Sequence, residues 1–313
     1  MSENIPFHRP VLYQEILNAL QPKPGGHYID CTLGAGGHSR GILEASTPDG
    51  ELLAFDLDQT AIGIAAQTLA PFGDRVHLRH ESYLKMQQAM QALGWEAVDG
   101  IVIDFGVSSM QLDQAERGFS FRKNGPLDMR FDVTRGISAA DLLNQIDENQ
   151  LAEILWKYGE ESRSHKIAAA ILANRPITTT MQLAQVIENA IGQPRKRGRR
   201  PIHPATKSFQ AIRIAVNHEL DAVEGVLPLV IQALAPGGIL AVISFHSLED
   251  RIVKHFFRDE SKDCLCPPEQ PICTCGHTAT LKRMTKKPVI ATDAEIQENP
   301  RARSAKLRIA KRL

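Results

Sequence analysis

The chain has 313 residues, with 36 Lys plus Arg against 36 Asp plus Glu, so its formal net charge at neutral pH is zero. That balance favours neither a nucleic-acid nor a membrane partner for the chain as a whole, and a 43% apolar content can fill one large core or two moderate ones. Met1 to Pro10 lacks the apolar core of a secretion signal, and the longest stretch without Asp, Glu, Lys or Arg, 225–248, is broken by Pro228 and by Pro236-Gly237-Gly238. It reads as a helix, a turn and a buried strand, so no membrane span is expected and the expected location is cytoplasmic.

From about residue 25 to 110, short apolar runs at 28–31, 52–55, 76–78 and 101–103 are flanked by turn or charged residues. They predict successive strands of a buried parallel sheet, with a helix over 58–69 between the second and third. Right-handed crossovers bring the loop ends of such strands to one edge, where ligands bind.

The first strand ends in Asp30-Cys-Thr-Leu-Gly-Ala-Gly-Gly-His38, and Asp56 follows Gly34 by 22 residues, closing the second strand. Glycines let backbone approach a ligand closely, and an acid ending the second strand accepts hydrogen bonds from ribose hydroxyls. A dinucleotide fingerprint would read Gly-x-Gly-x-x-Gly. Here an acid precedes Gly34-Ala-Gly36-Gly37, the pattern associated with S-adenosylmethionine, which has no pyrophosphate to cradle.

Between about 113 and 207 the rhythm changes. Ser138 predicts a cap for a helix through Ala140 and Leu143, and Asp147 with Gln150 resembles a capping box before the apolar stripe Leu151, Ile154, Leu155 and Tyr158. Ile167, Ala170 and Ile171 predict a further helix ending before Pro176, and Thr180 predicts the cap of a helix stopped by Gly192. A run of helices without strands does not extend a parallel sheet. The expected organisation is a core over 1–112, an inserted helical substrate-recognition subdomain over 113–207, and the rest of the core, with a basic C-terminal tail, over 208–313. After residue 208 come helices through Phe209, Ile212 and Val223, a Pro-Gly-Gly turn with its strand, a helix over 248–257 and a late strand over 307–310.

Two basic runs stand out against the neutral whole. Arg195-Lys-Arg-Gly-Arg-Arg200 holds five cations in six residues, and from Arg301 to Leu313 there are six Lys or Arg and no acid. Either can be a solvated segment; beside a cofactor site, the pair points to a phosphate-rich substrate. Cys264, Cys266, Cys273 and Cys275 form two C-x-C pairs, with His277 close behind. Four thiolates can close a tetrahedral zinc site, although zinc modules usually use C-x2-C knuckles. A cysteine-rich loop without metal fits the spacing as well, and disulfides are disfavoured in a reducing compartment. No metal is assigned to the catalytic site.

The motifs of the whole chain resemble the ribosomal RNA small subunit methyltransferase H family. They are the glycine loop 30–38, Asp104-Phe-Gly-Val-Ser-Ser109 with Gln111 and Asp113, Glu116-Arg-Gly-Phe-Ser-Phe121, and Gly125-Pro-Leu-Asp-Met-Arg130. Further on stand His203-Pro-Ala-Thr206 with Phe209-Gln-Ala-Ile-Arg213, Ser244-Phe-His-Ser-Leu-Glu-Asp-Arg251 and Asn299-Pro-Arg-Ala-Arg303. The resemblance implies an α/β fold with a class I methyltransferase, Rossmann-like sheet interrupted by an inserted α-helical subdomain. It implies S-adenosylmethionine-dependent methylation of N4 of one cytidine in the decoding region of small-subunit 16S ribosomal RNA, presented as RNA or as a small ribosomal subunit.

It also implies that Gly36, Gly37 and His38 contact the cofactor, that Asp56 holds its ribose, that Tyr83 and Asp104 border its adenosine and methionine parts, and that Gln111 completes the pocket. Each has a plainer reading: Tyr83 as a core-edge aromatic, Gln111 as a solvated loop residue, His38 as a helix cap, His246 as a structural histidine. Asp104 stands apart, because a carboxylate ending an Ile-Val-Ile strand is costly without a partner.

The cytosine amino nitrogen is a poor nucleophile, and an acceptor on its N–H localises the lone pair. Amino-methyltransferases of DNA often use an Asp/Asn/Ser-Pro-Pro-Tyr/Phe loop for this; here Asp104-Phe-Gly-Val lacks the double proline. Asp104 is therefore the candidate acceptor, with Ser108 or Ser109 assisting. Phe105, Phe119 and Phe121 can offer a stacking face for an unpaired base or pack in the core. The competing functions are a nicotinamide-dependent oxidoreductase, a methyltransferase acting on DNA or protein, and a non-catalytic ribosome-binding factor.

Overall fold

The computed structural model describes residues 10–192 and 203–313. It divides into two compact units, residues 1–106 with 221–313, and residues 107–220.

The first unit opens with α1 (Tyr13–Leu20), β1 (His27–Asp30), α2 (Gly37–Ala45), β2 (Glu51–Asp56), α3 (Gln59–Leu69), β3 (Val76–His80), α4 (Met86–Ala92) and β4 (Val98–Asp104). Residues 28–30, 52–55 and 100–103 are buried, as continuous apolar runs require when a strand is covered on both faces. Asp58 is the N-cap of α3, its carboxylate accepting the Thr60 N–H at 2.9 Å.

The second unit carries α5 (Ser109–Asp113), α6 (Ala139–Gln145), α7 (Glu148–Gly159), α8 (Ser164–Ala173), α9 (Thr180–Ile191) and α10 (Thr206–Asn217). Ser138 caps α6 in a reciprocal capping box with Asp141, and Asp147 caps α7. The cap of α9 is Thr179, one residue before the expected Thr180; its hydroxyl accepts from Gln182 N, while Thr180 is buried. Leu143, Leu151, Leu155, Ile167, Ile171, Leu183, Ile187 and Ile212 share one core. The basic run 195–200 lies outside the described residues.

The chain then runs through α11 (Glu219–Ala233), β5 (Leu234–Ser244), α12 (Ser247–Asp259), β6 (Leu281–Arg283), α13 (Asp293–Glu298) and β7 (Lys306–Arg312). The Pro-Gly-Gly turn falls inside β5, at a register irregularity against β4 where Gly237 has φ 86°. The seven strands are ordered β3-β2-β1-β4-β5-β7-β6. β1 to β5 pair in parallel, and β7 is antiparallel to both neighbours.

The late strand expected over 307–310 is present as part of β7, so most of the basic C-terminal segment, Lys306–Arg312, is an inner strand of the sheet. Its Arg308 is buried and its guanidinium meets Asp250 of α12 at 2.7 and 3.2 Å, with Lys306 3.3 Å from the same carboxylate. Among the described residues, no helix is long and apolar enough to cross a membrane.

Candidate active site

Strand order reverses between β1 and β4, the position where open α/β sheets bind ligands beyond the carboxyl ends of their strands. Three strands around this point end in an acid: Asp30 on β1, Asp56 on β2 and Asp104 on β4.

Asp56 fixes the glycine loop. One oxygen accepts Gly34 N–H at 2.8 Å and the other Asp58 N–H at 2.8 Å. Its remaining lone pairs suit ribose hydroxyls, and burial pushes its carboxyl above the usual range. Gly34 and Gly36 hold φ of 52° and 82°, left-handed values that keep this turn close to the strand ends. Gly37 has a different task, because a Cβ there would lie 2.4 Å from the Pro10 ring. Its missing side chain admits the segment before α1.

Asp30 is buried and fully engaged, accepting Thr32 N–H at 3.0 Å and the Ser39 hydroxyl at 2.7 Å. Burial still drives its carboxyl up to about 6. Thr32 links the first and fourth strands, its Oγ1 accepting Asp104 N–H at 2.6 Å.

Asp104 is different. Its Oδ1 is buried without a hydrogen-bond partner, although a quarter of the side chain (25%) is open to solvent. Burial, and then the charges of Asp30 and Glu249, push its carboxyl well above the ordinary range. The nearest basic group is no remedy: His38 Nε2 lies 3.8 Å from Oδ2, and burial lowers that imidazole to about 4, so it stays neutral. Both ring nitrogens of His38 are buried and unpartnered. His38 does not cap α2, whose N-cap is Gly36.

Two unpartnered polar side chains, a left-handed glycine turn and an acid with spare lone pairs meet at one sheet edge. These residues fit a nucleoside ligand that carries positive charge near Asp104 and polar groups for His38. Tyr83 stands at the start of a 3-10 turn after β3 and packs against the core around Met86 and Trp95.

Of the remaining expected residues, Ser108, Ser109, Gln111, Phe119 and Phe121 belong to the second unit, and Phe105 and His246 to the first. Ser108 is the N-cap of α5; its Oγ accepts Gln111 N–H at 3.2 Å, and Gln111 Oε1 accepts Ser108 N–H at 3.0 Å. Gln111 is buried, not solvated, and Ser109 is the first residue of α5. Phe105 and Phe119 are core residues, and Phe119 stacks on Phe131 with centroids 5.7 Å apart. Phe121 is half-buried between His203 and Phe209, at 4.6 and 4.8 Å. His246 is the N-cap of α12 in a reciprocal box with Glu249.

Sequence reasoning left three contributors unassigned: Asp30, Thr32 and Glu249. Glu249 is buried and accepts Phe245 N–H at 2.8 Å and His246 N–H at 3.2 Å, while its charge raises Asp104. The signal for Asp30 and Thr32 was their place at the mouth of the glycine loop; for Glu249 it was the His-Ser-Leu-Glu capping spacing.

The sheet order, its antiparallel seventh strand and the acids at the strand ends define a class I S-adenosylmethionine-dependent methyltransferase. The chain belongs to the MraW methylase family, whose profile matches residues 6–313. It is 52% identical over 312 residues to the ribosomal RNA small subunit methyltransferase H of Nitratidesulfovibrio vulgaris, covering 98% of this chain and 86% of that one. It is 50% identical over 309 residues to the protein of the same name from Geotalea uraniireducens, covering 98% of each. A solved rRNA methylase from Streptococcus thermophilus aligns at 9% identity and a TM-score of 0.43, over 96% of this chain and 93% of that one.

Proposed function

We propose that the chain transfers a methyl group from S-adenosylmethionine to N4 of one cytidine in the decoding region of small-subunit ribosomal RNA, in the cytoplasm. Family membership supports the acceptor class. The observation that carries the chemistry is Asp104, a strand-end carboxyl with a buried, unpartnered oxygen and no neighbouring cation among the described residues.

The bound cofactor supplies an activated methyl group, so the difficult bond-making potential is not the protein's to create. Gly36, Gly37 and His38 would hold it on the loop side and Asp56 would take its ribose, with Tyr83 and Gln111 completing the pocket. Asp104 ionises when positive charge is bound in the cluster, because an opposite charge offsets the repulsion from Asp30 and Glu249. The ionised Asp104 then accepts the N–H of the cytosine amine, drawing the nitrogen lone pair out of the ring. A raised carboxyl also suits the proton that the amine gives up. Asp104 is held for this by Thr32, which fixes its backbone. Ser108 and Ser109 assist, and the helical unit 107–220 presents the RNA.

The experiment is transfer from methyl-labelled S-adenosylmethionine to small ribosomal subunits or their deproteinised RNA, followed by digestion to nucleosides. The expected product is N4-methylated cytidine. Label in another nucleoside, in protein or in neither substrate would refute the proposal.

A further inference from the structure

The loop between α12 and β6 is tied at its base and bare at its tip. Thr280 and Leu281 N–H both donate to Glu260 O, at 2.9 and 3.0 Å, and Ala279 N–H donates to Asp263 Oδ1 at 3.1 Å. None of residues 261–280 is buried. Leu265 and Ile272, at 44% and 74% exposure, find no core there. Apolar burial therefore does not fix this segment.

What gathers at the tip is sulfur. The Sγ atoms of Cys264, Cys266, Cys273 and Cys275 all lie within 4.8 Å of one another. Cys264 is 3.4 Å from Cys273 and 3.8 Å from Cys275, and Cys273 is 3.6 Å from Cys275. Zinc–thiolate bonds of about 2.3 Å at tetrahedral angles set sulfur–sulfur edges of about 3.8 Å. A disulfide would need about 2.05 Å. The three separations match edges of a tetrahedron around one ion and no covalent pair, and Cys266 Sγ, within 4.8 Å of the other three, can take the fourth corner.

The backbone is arranged for thiolates as well. Leu265 N–H points at Cys275 Sγ at 3.3 Å, Cys266 N–H at Cys264 Sγ at 3.4 Å, and Thr274 N–H at Cys266 Sγ at 3.5 Å. Amide donors on sulfur stabilise the charged ligand form, as the outer shell of a metal site does. His277 is engaged elsewhere, its Nε2 3.2 Å from Asp259 O, which leaves the four sulfurs as the complete set. The two C-x-C pairs depart from knuckle spacing, yet facing each other across the loop they supply the same four corners.

We propose that Cys264, Cys266, Cys273 and Cys275 bind one zinc ion as a closed tetrathiolate site that folds the 260–280 loop. Closed four-sulfur coordination is structural and leaves no position for a substrate. Each remaining thiol proton passes to solvent as its sulfur joins the metal, so binding weakens in acid. The ion stands in for the missing core, and its free energy is the loop's folding free energy.

The test uses the full chain, purified under reducing conditions without chelator. Elemental analysis should find about one zinc per chain, and a Cys264→Ser/Cys273→Ser variant should retain less than about a tenth of it. Replacing zinc by cobalt in the wild-type chain should produce the intense sulfur-to-cobalt charge-transfer absorption of tetrahedral thiolate ligation, a readout that needs no variant to fold. Stripping the metal should speed proteolysis within 260–280 at least about tenfold and leave cofactor binding unchanged. Four freely titrating thiols with no bound metal would overturn the proposal. So would a chain lighter by four hydrogens, which marks two disulfides, or iron in place of zinc.

Discussion

Asp104 and Asp250 belong to the same unit, both are drawn out of bulk water, and their protons behave in opposite ways. Asp250 on α12 would be raised by its burial, but the Arg308 hydrogen bonds and charge, then Lys306, hold its carboxyl below the usual range. Asp104 at the end of β4 meets, among the described residues, other acids and a neutral imidazole but no cation, and rises. An acid matched by a buried cation is part of the scaffold. An acid left without one, at the edge of the sheet where the proposed function puts the ligand, would be held ready for a charge that arrives from outside. The comparison also reassigns the basic C-terminal segment, whose most buried cation serves Asp250 and not a phosphate.

The sharpest way to break this contrast is to remove each acid in turn. Asp104→Asn should cut methyl transfer by about 10²–10⁴-fold, the range for a lost proton acceptor. The same change should leave the cofactor-free protein at least as thermally stable at pH 8. The wild-type carboxyl, raised in the folded state, favours folding only while protonated, and its contribution declines as pH rises from the ordinary carboxylate range to its folded value. Asp30 follows the same sign, with a window between about 4 and about 6. A melting curve of Asp104→Asn that falls below wild type at pH 8 would mean the acid stabilises the fold.

Asp250→Ala should do the reverse. It strands a buried guanidinium and should cost about 3–5 kcal/mol in denaturant unfolding, and pairing it with Arg308→Met should recover most of the loss. Turnover per folded molecule should be unchanged. Since the folded Asp250 carboxyl is depressed, its contribution is present above the ordinary carboxylate range and is lost as pH falls through its folded value.

A smaller effect concerns binding. The affinity for S-adenosylmethionine should rise with pH, by up to about tenfold between pH 5 and 8, as Asp30 and Asp104 lose their protons to solvent and their negative charge favours a cationic ligand. S-adenosylhomocysteine, without the sulfonium charge, should show a shallower slope in calorimetry, and Asp104→Asn should flatten both. Equal slopes for the two ligands would remove the sulfonium from the argument.

The smallest effect separates the two basic runs. Neutralising Arg199 and Arg200 should weaken RNA binding a few-fold and lower the salt slope by about one unit per lost phosphate contact. Neutralising Lys311 on β7 should change neither, and a flat salt response of the wild type would dismiss phosphate contacts by the 195–200 run.

These contrasts show what the chain discloses before it folds. The strands β1, β2 and β4 were legible because a strand covered on both faces must be apolar throughout, and their acids because each interrupts such a run at its last residue, whereas β3 alternates and is only half-buried. β6, three residues long, offers no period to read. In β7 the alternation of Lys306, Arg308 and the apolar residues between them was visible, but the acid that answers Arg308 lies on α12, and no local pattern announces it. Gln111 illustrates the same limit: its burial comes from a capping box that the spacing Ser108 to Gln111 permits but does not require. Phe105 and Phe119 had the composition of a stacking face and the surroundings of a core.

The most direct test of the account measures two quantities on one protein, the S-adenosylmethionine dissociation constant of Asp104→Asn and its single-turnover rate of methyl transfer to small-subunit ribosomal RNA. The account predicts a dissociation constant within about tenfold of wild type and a rate lower by about 10² or more. Affinity and rate falling by the same factor would contradict it, leaving Asp104 a residue that binds the cofactor and takes no part in activating the amine.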